Sequence, residues 1–306
     1  MAEPDPGRLP AEKRRGGSPV PEATTSFSRI IGIDFATADA KKGLVLATRK
    51  RKGLRLDRTW DRQDPFLDVL VQWIVEAREA TLIAVDAPLG WPAPLGEALN
   101  LHEAGRAIGT SADEMFRRRT DVFVRCAIGQ NPLEIGADRI ARTAHAALAC
   151  LGELSKKLGT QVPLAWTPAV GKGPAAIEVY PAATLKAYGI RSTGYKKVGQ
   201  RSERREIVEG LGRQWLEIPD RLANELHDDA DTLDAAVCVL AGEDFAAGRA
   251  EPPEDDDLAR REGWIWVPRR DLGYRMQNLR YGNPDDPDPL ADLSWDEIRD
   301  IIYEGR

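Results

Sequence analysis

Twice the chain runs a short apolar strand straight into an aspartate, and this repeated arrangement limits what it can fold into. The first copy is Arg29-Ile30-Ile31-Gly32-Ile33-Asp34-Phe35-Ala36. Its isoleucines, broken only by Gly32, read as a strand buried on both faces. Asp34 closes that strand, where a carboxylate is costly to desolvate unless it faces a cation or hydrogen-bond donors. The plainer alternative is an aspartate that caps the turn after it. The second copy is Thr81-Leu82-Ile83-Ala84-Val85-Asp86-Ala87-Pro88-Leu89-Gly90, again an apolar strand, an aspartate and a Pro/Gly turn. If the two strands are parallel neighbours, both carboxylates stand at one edge of one sheet.

The segments between them supply a meander and a crossover. Gly43 to Thr48 reads as a second strand. A basic turn then leads to the alternating stretch Leu54 to Trp60, a half-exposed third strand. Phe66, Leu67, Leu70, Val71, Ile74 and Val75 follow at helical spacing, with Asp64 as the expected N-cap and Pro65 in the first turn. Such a helix returns the chain to run the Asp86 strand parallel to the first. Three strands, a helix and a strand, with acids ending the first and fourth strands, is the order of a ribonuclease H-like sheet. The expected fold is therefore α/β, a mixed sheet flanked by helices with the Asp34 strand central.

Residues from about 90 to 172 do not belong to that minimal order and read as a mainly helical insertion over the acidic edge. It holds an arginine-rich stretch with Arg117, Arg118, Arg119 and Arg125, at least one of which is expected to face the cleft. A helix from Ile140 to Leu158 stops at Gly159, with Arg139, Arg142 and His145 on its polar face. Beyond the insertion, Ala175 to Ala183 reads as a short strand carrying Glu178. Ser192 to Arg205 is a polar, basic segment with Lys196 and Lys197, expected to form a mobile loop that runs into a helix. His227 to Asp234 brings five acidic or titratable groups to the start of an Ala-rich helix, where the helix dipole favours acids. Gly263 to Pro268 reads as a late edge strand.

The ends differ in composition from this body. Residues 1–28 are rich in Pro, Gly, Ala, Glu and Arg with almost no bulky apolar side chain, and are expected to be disordered. The folded domain is expected over 29–282. An acidic tail over 283–306 is expected to end in a helix opened by a capping box at Ser294 and Glu297.

The acids carry the chemistry. Asp231 and Asp234 are three apart, so on a helix they share a face and repel one another unless a cation compensates. Solvated acids in a first helical turn explain that pair alone. With two strand-end aspartates and a strand-borne glutamate added, a site for Mg²⁺ or Mn²⁺ gains weight, since both ions prefer oxygen ligands. Two such ions would activate a water and stabilise the leaving oxygen of a phosphodiester.

Six motifs in order resemble one family. They are Gly32 to Ala36 (GIDFA), Ala84 to Gly90 (AVDAPLG), Arg119 to Arg125 (RTDVFVR), Glu178 to Ala183 (EVYPAA), His227 to Ala235 (HDDADTLDA) and Glu262 to Ile265 (EGWI). Together they resemble family 429 of the domains of unknown function, regarded as ribonuclease H-like nucleases akin to Holliday-junction resolvases of the RuvC type. The resemblance implies Asp34, Asp86, Glu178, Asp231 and Asp234 as catalytic acids, with Asp34, Asp86, Glu178 and Asp234 as metal ligands. Resolvases of that type use four acids, so the fifth leaves the ligand set open, and Asp228 or Asp229 can stand in for one of them.

The expected function is thus a metal-dependent nuclease on DNA or RNA. Arg117, Arg118, Arg119, Arg125, Lys196 and Lys197 would hold phosphates, and Phe116, Phe123 or Tyr195 would stack on bases. Equally, those cations are ordinary surface charges. A binding or regulatory protein of the same fold without turnover is the alternative. An actin- or sugar-kinase-like phosphotransferase is disfavoured, because no second phosphate loop and no P-loop is present. A net charge of −6 argues against a protein that coats nucleic acid with its whole surface and leaves room for a local basic face. Three widely spaced cysteines give no zinc pattern and suit a reducing cytoplasm. No apolar run is long enough to span a membrane, and the first residues lack the apolar region of a secretory signal, so a cytoplasmic location is the expectation.

Overall fold

The computed structural model describes residues 27–269, apart from 52, 78–79, 170–172 and 215. Residues 1–26 of the expected disordered tail and the expected terminal helix after Ser294 lie outside these residues, but Phe27 and Ser28 already belong to the first strand, with Phe27 buried in the core. The acid-ended strands are β1 (Phe27–Asp34) and β4 (Ala80–Asp86), paired in parallel. Between them, β2 (Gly43–Lys50) and β3 (Gly53–Thr59) complete an antiparallel meander with β1. Parallel β5 (Pro174–Glu178) extends the sheet beyond β4. A two-residue strand, β6 (Leu216–Glu217), joins β3 at the far edge and has no counterpart in the sequence reading. The sheet is mixed and six-stranded, in the order β5-β4-β1-β2-β3-β6, so the Asp34 strand is central.

Alternation along these strands sends side chains to two cores. Ile30, Val45, Leu56, Leu82, Ala84 and Ile177 face one, while Ile31, Ile33, Leu44, Leu46, Ile83 and Val85 face the other. Helices α1 (Phe66–Val75) and α5 (Ile140–Leu158) cover the second face. The first belongs to α6 (Pro181–Ala187), α7 (Arg201–Gly212), α8 (Asp220–Asp228) and, against the strands themselves, α9 (Ala230–Ala246). Every residue of α9 from Thr232 to Ala246 is buried, which is why this helix is mostly small or apolar, with Asp234, Glu243 and Asp244 as buried charges that need partners.

Close approach of α9 depends on glycine. A Cβ on Gly32 would fall 2.0 Å from the Ala235 carbonyl oxygen, and one on Gly43 would fall 2.0 Å from that of Asp231. With no side chain at these points, the first turns of α9 rest directly on the carboxyl end of β1 and the start of β2. That contact brings the α9 acids to the strand ends.

The insertion is helical as expected, with α2 (Ala93–Leu99), α3 (Ala112–Phe116), α4 (Arg119–Ile128) and α5. It does more than cap an edge, since Ala147 and Leu154 of α5 join the second core. Some boundaries differ from expectation. Pro65, not Asp64, is the N-cap of α1, because the Pro65 carbonyl accepts from Asp68 and Val69. The strand expected from Ala175 to Ala183 ends at Glu178, and Pro181 opens α6, as suits proline in a first helical turn. The stretch 264–268 follows α10 (Asp256–Glu262) and, among the described residues, pairs through isolated bridges, Ile265 with Glu178 and Pro268 with Ala250. No helix among the described residues is long and apolar enough to cross a membrane.

Candidate active site

Asp34 and Asp86 are register partners at the carboxyl ends of adjacent parallel strands, which lie about 4.8 Å apart. Neither carboxylate has a hydrogen-bond or ion-pair partner among the described residues. Both open into a cleft of about 380 Å³ whose lining includes Pro132, Ile140, Thr143, Tyr180, Tyr195 and Lys196. Burial, followed by the charges of Asp234 and Asp86, raises Asp34 well above the usual carboxylate range. Burial pushes Asp86 up to about 7, with Lys196 opposing and Asp234 and Glu178 adding to the rise. Two carboxylates so placed cannot both ionise freely, so they titrate as a pair.

Asp234 is the third acid of the cluster and is fully buried. The Tyr195 hydroxyl donates to its Oδ1 at 2.6 Å, and the Lys196 ammonium lies 2.6 Å from its Oδ2. Burial opposes the charge on Lys196, but Asp234, Asp34 and Asp86 together raise its pKa. The loop carrying these two residues is fastened from behind. Buried Arg204 donates to the carbonyls of Tyr195 at 2.7 Å and of His227 at 2.6 Å. The segment expected to be a mobile phosphate-binding loop thus delivers a tyrosine and a lysine into the acid cluster.

Glu178 is in register with Val85, so it does not continue the Asp34–Asp86 row. Its carboxylate is already bound. Oε1 accepts from Arg118 Nη2 at 2.7 Å, and Oε2 accepts from Arg118 Nη1 and the Leu89 amide, each at 2.9 Å. Arg118 also donates to Asp121 at 2.9 Å, and all three side chains are buried. The Glu178 and Asp121 charges hold the guanidinium protonated, against the effect of burial. A neighbouring lock completes this corner. Glu262 accepts from the amides of Ala93 and Arg119, and Thr120 Oγ1 accepts from the Ile265 amide at 2.8 Å.

The remaining acids turn elsewhere. Asp231 is half-buried and sits 3.5 Å from Arg62, its pKa raised by burial and then by Asp229. Asp229 is the N-cap of α9 and pairs with Arg62 at 2.7 Å, while exposed Asp228 pairs with Arg201 at 2.6 Å. Neither stands in for a member of the cluster.

Of the expected phosphate-binding cations, only Arg118 and Lys196 line the acidic cleft, and both are engaged by carboxylates. Arg117, Arg119 and Arg125, together with Arg118, line a separate groove of about 320 Å³ beside Asp113, Glu114 and Glu262. Lys197 is exposed on the loop. Two of the expected stacking rings are not available: Phe123 is buried against Trp264, with centroids 4.8 Å apart, and Tyr195 is buried on Asp234. The sequence reading missed the Arg118–Asp121 pairing, for which the i, i+3 spacing was the signal. It also missed the counter-charge role of Lys196, for which no local signal exists.

An oxygen-donor set of Asp34 and Asp86, both unpartnered, with Asp234 beside them, is the chemistry a hard divalent cation takes. As they stand, no three His, Cys, Asp or Glu side chains among the described residues are grouped to hold a metal ion. Lys196 supplies the positive charge instead, and moving its ammonium off Asp234 would release the third carboxylate. Holding an ion would require Lys196 to leave Asp234 and the three carboxylates to draw closer together, while Glu178 and Asp231, beside Arg118 and Arg62, lie outside the set.

Residues 32–258 match the family described as "Protein of unknown function (DUF429)". No curated protein and no solved structure matches the chain.

Proposed function

The chain belongs to the DUF429 family, and from that premise we propose that it is a nuclease of ribonuclease H-like fold that works with Mg²⁺ or Mn²⁺. The observation that carries the reading is the row of Asp34 and Asp86, two unpartnered carboxylates of raised pKa at the ends of neighbouring parallel strands. An antiparallel three-strand meander followed by parallel β4 and β5 is the strand arrangement that supports the fold assignment.

In this reading Asp34, Asp86 and Asp234 hold the cation. A bound Mg²⁺ or Mn²⁺ supplies Lewis-acid polarisation of a phosphate oxygen and a water of lowered pKa. Tyr195 keeps Asp234 oriented through its hydroxyl. Lys196 neutralises the cluster when no cation is present, and after displacement its ammonium is free to meet a phosphate oxygen. Arg118 and Glu178 position the Leu89 turn that forms one wall of the cleft. Without the cation, burial pushes Asp86 up to about 7, so cation binding would compete with its protonation.

A second reading, a binding protein without turnover, is favoured by one observation: the Lys196 ammonium already compensates the cluster. One experiment separates the two. Single-stranded, duplex and branched DNA, RNA and an RNA–DNA hybrid are incubated with the protein and Mn²⁺, beside Asp34→Asn. Cleavage of any substrate by the wild type, abolished in Asp34→Asn, supports the nuclease. Binding without cleavage leaves the second reading.

A further inference from the structure

The polar face of α5 borders a second depression, an open groove of about 800 Å³ lined by Thr37, Arg139, Ala141, Arg142 and His145. Arg139, Arg142 and His145 recur at three-residue steps, so they form one stripe along the helix. All three are exposed, and none of their side chains has a hydrogen-bond or ion-pair partner among the described residues. No acidic residue among the described residues lines the groove. This separates it from the groove around Arg117, Arg119 and Arg125, where Asp113, Glu114 and Glu262 are interleaved.

The basic groove and the acidic cleft share a wall. Ile140 and Thr143, from the same turns of α5, line the cleft, while Arg139, Ala141, Arg142 and His145 line the groove. Thr37 of the groove lies in the segment that continues from Asp34 and Phe35 of the cleft. A chain lying on the stripe therefore runs beside the cleft that holds the carboxylates. The cleft, at about 380 Å³, has the volume of a small-ligand site, too small for a duplex whose major groove alone is about 12 Å wide.

We propose that this groove binds the phosphodiester backbone of a single nucleic-acid strand and leads it into the cleft. Arg139 and Arg142 pair with successive phosphates, and Thr37 and His145 contribute hydrogen bonds. The inference rests on the nuclease reading for its direction, but binding is measurable without cleavage.

The test is fluorescence anisotropy of labelled single-stranded DNA and RNA with the full chain in chelator, over a salt series. Inorganic phosphate and a duplex serve as competitors. The double variant Arg139→Gln/Arg142→Gln is compared with Lys156→Gln/Lys157→Gln, an equal charge change at the far end of α5, and thermal melts confirm that both fold. The groove variant is expected to bind roughly tenfold more weakly, with a log–log salt slope shallower by about 1.4, the loss of two single-strand phosphate contacts. The control pair should stay close to wild type. Equal weakening by both pairs, unchanged binding by the groove variant, or no strand binding by the wild type overturns the proposal. Tighter binding of duplex than of strand overturns the single-strand assignment. Groove-dependent binding without Mn²⁺-dependent cleavage refutes the nuclease reading alone, and cleavage with groove-independent binding refutes the groove alone.

Discussion

Asp34 and Asp86 stand side by side in register on parallel strands, and no protein cation or donor pairs with either carboxylate among the described residues. Lys196, the cation whose charge favours ionisation of both, has its ammonium on Asp234. The fold therefore holds two acids in a state that favours a shared proton or an added cation.

The pH dependence of stability follows from the Asp86 shift. Its folded pKa of about 7 lies above the ordinary 3.8 because burial penalises the charged form. The folded state thus holds a proton that the unfolded chain releases. This group's contribution is fully present below about pH 4 and is lost as pH rises through 7, on the order of 4 kcal/mol in total. Asp86→Asn should gain stability relative to wild type across that window in denaturant titrations at several pH values. A difference that stays flat with pH would contradict the raised pKa.

Arg118 should be far less replaceable than its partner. Arg118→Met leaves Glu178 and Asp121 buried without a cation, a loss of about 3–5 kcal/mol. Glu178→Gln keeps the Leu89 amide bond and one guanidinium bond, and should cost roughly 1–3 kcal/mol. Urea unfolding ranks the two. Mn²⁺ binding measured by calorimetry should survive Glu178→Gln, whereas a metal-ligand role for Glu178 demands its loss.

Two glycines with opposite surroundings test how α9 is seated. Gly32→Ala sets a methyl against the Ala235 carbonyl and 3.0 Å from Val239 Cγ2, so the helix must move, at a cost of about 1–3 kcal/mol or more. Gly152→Ala, in α5 with open space around it, should instead stabilise by roughly 0.5–1 kcal/mol. Melting temperatures shifting in the same direction would count against the close β1–α9 contact.

Those glycines also mark where sequence reasoning stops. The strand periodicity of Ile30 to Ile33 and Leu82 to Val85 identifies buried parallel neighbours, and the stop at Gly159 delimits α5. These signals are local. The two-residue strand β6 is too short for any period and exists because β3 offers it an edge. In the site, Asp34 and Asp86 are legible because strand-end acids break an apolar run. The fate of Glu178 is not, because Arg118 lies sixty residues earlier and meets it only through the tertiary fold. Lys196 reads as a phosphate ligand for the same reason, since nothing in its segment reports that Asp234 lies within reach.

Lys196 and Asp34 give the sharpest test of the cation site, because their removal has opposite consequences. Asp34 is ionised at a cost, its pKa raised by burial and by Asp234 and Asp86. Without metal, Asp34→Asn should therefore melt at or above the wild-type temperature. Lys196→Met withdraws the one ammonium paired with Asp234 in that cluster, so the same melt should fall. Adding Mn²⁺ reverses the ranking. A cation that binds only the folded state raises the melting temperature by mass action. Lys196→Met, with no ammonium to displace, should show the largest rise, wild type an intermediate one, and Asp34→Asn little or none. If Asp34 serves only to cap its turn, the pattern inverts: Asp34→Asn loses stability without metal, and Mn²⁺ shifts none of the three proteins. That outcome would remove the cation site and leave Lys196 as the permanent counter-charge of a structural acid cluster.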